Sequence, residues 1–128
     1  MDVALPILAL LACAVVAQQV LLHGRRRRHI REAPLPASLA SHLRARYPEL
    51  TPIQVSEVLE ALRDWFELCR RARRRLLGMP SQAVDEAWHA FILDTRAYGA
   101  FCHRAFGRFL HHTRSEERRV GKECATGC

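Results

Sequence analysis

Lysine is almost missing from this chain. Lys122 stands alone, so the formal charge of +7 is an arginine charge. The pair C-x-x-C never occurs among the five cysteines (Cys13, Cys69, Cys102, Cys124, Cys128). Their scatter excludes a disulfide framework and the commonest zinc-ribbon spacing, and it fits a reducing compartment with mostly buried thiols. There is no H-E-x-x-H, which removes the best-known helical zinc-protease pattern. No serine sits in a nucleophile turn, so a serine-hydrolase triad is disfavoured. No stretch reads convincingly as a β-strand, and no glycine-rich region is present.

What the chain does have is one long apolar run. Residues 3–22, VALPILALLACAVVAQQVLL, hold no charge, and twenty residues suffice to cross a bilayer core as a helix. Four arginines follow at residues 25–28, while the other end carries only Asp2 and the amino terminus. By the positive-inside rule the C-terminal side is then cytoplasmic. A cleaved signal peptide carries its positive charge before the apolar run, not after it. The same argument counts against a lipoprotein signal acylated at Cys13. The expectation is a single-pass anchor in the inner (cytoplasmic) membrane, over residues 1–24, with a cytoplasmic C-terminal domain. Residues 25–36, basic and then containing Pro34 and Pro36, read as a linker.

Residues 37–113 carry helical patterning. Leu39, Leu43 and Tyr47 form one row, which Pro48 stops. Thr51, Pro52 and Gln54 are the signature of a capping box with proline at the first helical position. Val55, Val58, Leu59, Leu62, Trp65, Phe66 and Cys69 recur behind it at three-and-four spacing. Glu57, Glu60, Arg63, Asp64 and Glu67 fall on the opposite face, and Gly78 is the expected stop. Ser81 caps a third helix with Val84, Ala87, Trp88, Phe91 and Ile92 as its stripe. A fourth, capped by Thr95, has Tyr98, Phe101, Cys102 and Ala105 on one face and ends at Gly107. The fold class expected is all-α: an N-terminal transmembrane helix followed by a small bundle of about four helices. A domain this small depends heavily on its aromatics for packing. Beyond Thr113 the helical stripe is lost, and residues 114–128 read as a disordered polar tail. The peptide SEERRVGKEC also resembles a translated adapter or vector remnant, which makes a non-native tail the sharper expectation.

One stretch concentrates chemistry. Asp85 and His89 lie one helical turn apart on the edge of the apolar stripe. That edge suits a half-buried ligand pair and suits an ordinary Asp–His hydrogen bond equally. His111 and His112 follow Gly107 closely enough to fold back toward it, and Cys102 faces inward as a small core residue or a fifth donor. Three or four ligands drawn from Asp85, His89, Cys102, His111 and His112 would suit zinc, which accepts nitrogen, sulfur and oxygen donors.

The segment MPSQAVDEAWHAFILDTRAYGAFCHRAFGRFLHH resembles a bacterial family similar to the glycine-rich domain-containing proteins of plants. The residues that carry the resemblance are Asp85, Trp88, His89, Tyr98 and Cys102, within a span of about residues 47–113. The resemblance implies a helical domain in which Asp85 and His89 have a role beyond packing. It implies no particular activity.

The arginines at residues 25–28 read as a topology signal. Arg70, Arg71, Arg73, Arg74 and Arg75, at a helix end, read as a solvated face that also suits anionic lipid headgroups, at about 1 kcal/mol per near-surface charge. Nucleic-acid binding requires exposed aromatics among the arginines, and Trp65 and Phe66 lie in the apolar stripe instead. The functional expectation is a membrane-anchored interaction or binding module with a candidate metal site at Asp85 and His89. The alternatives are a zinc-dependent enzyme using Asp85, His89 and His111, and an arginine-driven binder of nucleic acid or anionic lipid.

Overall fold

The computed structural model describes residues 3–73 and 77–112, which form five helices and, among the described residues, no strand. They are α1 (Ala4–Glu32), α2 (Ala37–Arg46), α3 (Pro52–Ala72), α4 (Gln82–Leu93) and α5 (Thr95–Phe106). Helix α4 packs against α2, α3 and α5, while α1 lies across α3 and α5.

Helix α1 corrects the expected linker over residues 25–36. The four arginines are good helix formers, and nothing breaks the helix before Pro34, which holds Ala33 extended at ψ 133°. The helix therefore runs unbroken through Glu32, and its last turns belong to the bundle. Ile30 is fully buried. Its carbonyl is one of those a helix end leaves without an intrahelical partner, and the Arg63 guanidinium donates to it at 2.7 Å. Arg31 adds an ion pair to Asp64 at 2.6 Å. Arg63 and Asp64, expected on a solvent face, thus latch α3 to α1. The earlier part of α1 is long and apolar enough to cross a membrane, and its most apolar stretch has no buried residue. A signal sequence near the N-terminus has the same profile.

The capping box at Thr51 forms as its residues dictate: the Gln54 amide donates to Thr51 Oγ1, and the Thr51 amide to Gln54 Oε1 at 2.9 Å. Such a cap contributes about 1 kcal/mol. The expected stop at Gly78 is corrected. Helix α3 ends at Ala72, where Arg73 takes a positive φ of 55° and its carbonyl accepts from Arg108 at 2.9 Å. Glu67 is also corrected, being buried rather than solvated, because Arg70 and Arg71 fold back one turn to neutralise it. Ser81 caps α4 by accepting from the Val84 amide. Helix α5 is capped by Asp94 rather than Thr95: the carboxylate accepts from the Ala97 amide, an anion at the positive end of the helix.

Phe66 is the centre of the core, fully buried and ringed by Trp88, Phe91, Phe101 and Phe106 at centroid distances of 5.1–6.2 Å. Leu39 and Leu43 from α2 and Ile30 from α1 complete it. The aromatic stripes of α3, α4 and α5 therefore do converge.

Candidate metal centre

Helix α4 carries Asp85 in its first turn and His89 one turn later. The third member arrives from the far end of the domain. Gly107 closes α5 in the left-handed conformation at φ 70°, which turns the chain back toward α4. The returning segment is then tied down by a short polar chain. The Trp88 indole N–H donates to Tyr98 Oη at 2.9 Å, and the Tyr98 hydroxyl donates to the Leu110 carbonyl at 2.6 Å. Burial pushes the Tyr98 hydroxyl far above its ordinary range, so it stays protonated and remains a donor. Phe109 packs edge-on against the Tyr98 ring at 5.2 Å.

Fixed in this way, His112 reaches α4. Its ring lies 4.4 Å from that of Trp88 and 4.3 Å from that of His89. His112 Nε2 stands 2.7 Å from Asp85 Oδ1, and His89 Nδ1 stands 3.6 Å from Asp85 Oδ2. The first is a short hydrogen bond; the second is too long for one. Each of the three residues offers a ligand atom within 4.8 Å of the others. His112 is nearly buried, Asp85 is half-buried and His89 opens to solvent. Ligand atoms around a tetrahedral zinc stand roughly 3.3 Å apart. A small rotation of His89 would bring the three ligand atoms to that spacing.

Two of the five expected ligands are not brought to this group. His111 is exposed and turned the other way, with its ring 4.9 Å from that of Phe109. Cys102 is fully buried, and burial pushes its thiol up. It behaves as a core residue. A further pair escaped the sequence reading. His42 on α2 binds Glu86 on α4 at 2.8 Å, beside Asp85. No spacing relates residues 42 and 86, so only the tertiary contact reveals it. Of the second arginine cluster, Arg74 and Arg75 lie outside the described residues, as do Thr113, Cys124, Cys128 and the rest of the tail.

Comparison with protein families matches residues 25–127 to a family described as UCP032817-like. The chain belongs to the UCP032817-like family. This corrects the resemblance to the glycine-rich domain-containing proteins. The D-x-x-W-H pattern that carried it joins edge residues to stripe residues at ordinary helical spacing, and nothing in the comparisons points to that family. The UCP032817-like match begins at Arg25, directly after the apolar stretch of α1. It also takes in residues 114–127, so the adapter-like segment falls inside the family match. No curated protein matches the chain, and no solved structure matches it.

Proposed function

We propose that this protein is a membrane-anchored binding module whose Asp85, His89 and His112 hold a divalent transition metal, with zinc the best fit. The observation that carries this reading is the convergence of three ligand-type side chains, within 4.8 Å, from positions 27 residues apart in sequence. Two imidazoles and a carboxylate form a borderline donor set of the kind zinc takes. The shell around them supports the reading. Trp88 fixes the His112 ring, and the Tyr98–Leu110 hydrogen bond fixes its backbone, which is how second-layer contacts orient metal ligands.

Three protein ligands leave a fourth position toward solvent beside His89. A binding module presents that position to a donor group of a partner; a hydrolytic enzyme fills it with water and needs a general base within reach. Glu86, the next carboxylate along α4, is already engaged by His42, which favours the binding reading. The anchor reading is supported by α1, whose apolar stretch is unburied and continuous with turns that pack in the core, and by the arginines after it, which under the positive-inside rule favour a cytoplasmic bundle.

The test is the thermal melting of the full-length chain in nonionic detergent, with and without stoichiometric zinc. A ligand bound only by the folded state raises the midpoint. Zinc should stabilise the unchanged chain and leave His89→Ala and His112→Ala where they are without metal. An unshifted midpoint for the unchanged chain rejects the metal site. Resistance of the expressed protein to alkaline extraction tests the anchor separately.

A further inference from the structure

A second feature stands apart from the metal group, where the C-terminal ends of α3 and α5 meet α1. An open cleft of ≈ 300 Å³ is lined by the side chains of Arg26, Arg70, Arg73 and Arg108. Arg70 is neutralised there by two hydrogen bonds to Glu67, each 2.8 Å. Arg26, Arg73 and Arg108 have no carboxylate partner among the described residues. Arg108 also donates to the Arg73 carbonyl at 2.9 Å, and the three guanidiniums without a carboxylate line one cavity, an arrangement that a bound anion stabilises. Planar guanidiniums recognise phosphate oxygens through paired N–H donors.

We propose that this cleft binds a phosphate group. Its place in the fold favours one source. Gln19, His23 and Arg26 line the α1 side, spaced to share one helical face. The apolar run ends at Leu22, and Arg26 lies four residues on, about 6 Å along the helix axis. On the anchor reading of α1, the cleft opens at the level of the phospholipid headgroups, and a headgroup phosphate is its occupant. The dependence on that reading concerns the source alone. The three guanidiniums select a phosphate wherever it comes from. The Cys69 thiol on the cleft wall is pushed up to about 11 by burial, so it adds no competing anion.

The experiment titrates the full-length chain in nonionic detergent micelles with dihexanoyl phosphatidic acid, with inorganic phosphate and with dihexanoyl glycerol lacking the phosphate. Arg26→Gln and Arg73→Gln are the variants, and Arg96→Gln, an exposed arginine on α5, is the control. Saturable binding of a phosphate-bearing probe that weakens by about tenfold or more in either variant, and not in the control, is the expected result. Binding confined to phosphatidic acid assigns the headgroup, and binding of inorganic phosphate alone keeps the site but assigns a soluble phosphate. No saturable binding of either overturns the proposal, as does equal weakening by all three substitutions or equal binding of the phosphate-free lipid. A melting curve for each variant confirms that the fold is retained; if Arg26→Gln unfolds, Arg73→Gln alone decides. Alkaline extraction of the unchanged chain reports on the anchor independently of these outcomes.

Discussion

The Trp88 indole and the Tyr98 hydroxyl meet at 2.9 Å inside the core, and through this contact α4 governs where the chain after α5 can go. Tyr98 passes the interaction on to the Leu110 carbonyl, two residues before His112. Removing one hydroxyl therefore strands a buried N–H and a buried carbonyl together. Tyr98→Phe should lose about 1–3 kcal/mol in a urea denaturation series. It should also weaken zinc binding, although Tyr98 is not among the ligands. A Tyr98→Phe chain with unchanged stability and zinc affinity would show that the polar chain does not position His112.

Glu67 makes the fold sensitive to strong acid. Its carboxyl is held down to about 2, against an ordinary 4.5, chiefly by the Arg70 hydrogen bonds and with help from Arg71. A depressed carboxyl contributes stability that is complete above the ordinary value and is lost as pH falls toward 2. The amount is on the order of 2–3 kcal/mol. Glu67→Gln should be less stable than the unchanged chain at neutral pH, and the difference should shrink as pH falls from 4.5 toward 2. Denaturation curves at a series of pH values check this.

His29 acts in a milder range. Its ring packs 5.2 Å from Phe101 and its Nε2 is buried without a partner. Burial, then Arg104 and Arg63, lower its tendency to take a proton. The unfolded chain therefore binds a proton that the folded chain resists, so stability is full above about 6.5 and declines as pH falls below it. His29→Leu should flatten the stability profile between pH 7 and 5 relative to the unchanged chain. An identical slope in the two proteins would remove His29 from the account.

Gly107 is favoured by its conformation, and a side chain there would also make the flexible end of Arg26 shift. Its φ of 70° disfavours any side chain, and an added Cβ would stand 2.6 Å from a terminal nitrogen of Arg26. Gly107→Ala should cost about 1–2 kcal/mol, read by thermal melting. Gly107→Asn should cost less, since asparagine tolerates the left-handed region, although it displaces Arg26 equally.

Much of this was legible in the residues. The stripes of α3, α4 and α5 predict the buried set, and the spacing of Asp85 and His89 alone places them one turn apart. Gly107 makes the return of the terminal histidines foreseeable. Which of the two returns was not legible, because adjacent residues in an extended segment point to opposite sides and the register is set by Tyr98 gripping Leu110. The continuation of α1 past its arginines is not legible for a related reason. A run of like charge resembles a solvated linker until Arg63 and Asp64, 33 residues on from Ile30 and Arg31, meet the end of that helix. Periodicity puts Glu67 on the polar face because it ignores side chains that fold back to neutralise a neighbour.

The most direct measurement of the central claim is calorimetric titration of zinc into the full-length chain. One zinc per chain is the expected result. The account predicts at least about tenfold weaker binding in Asp85→Asn and His112→Ala, and unchanged binding in His111→Ala, whose ring lies outside the group. Absence of saturable binding, or an His111→Ala loss equal to that of His112→Ala, would contradict it.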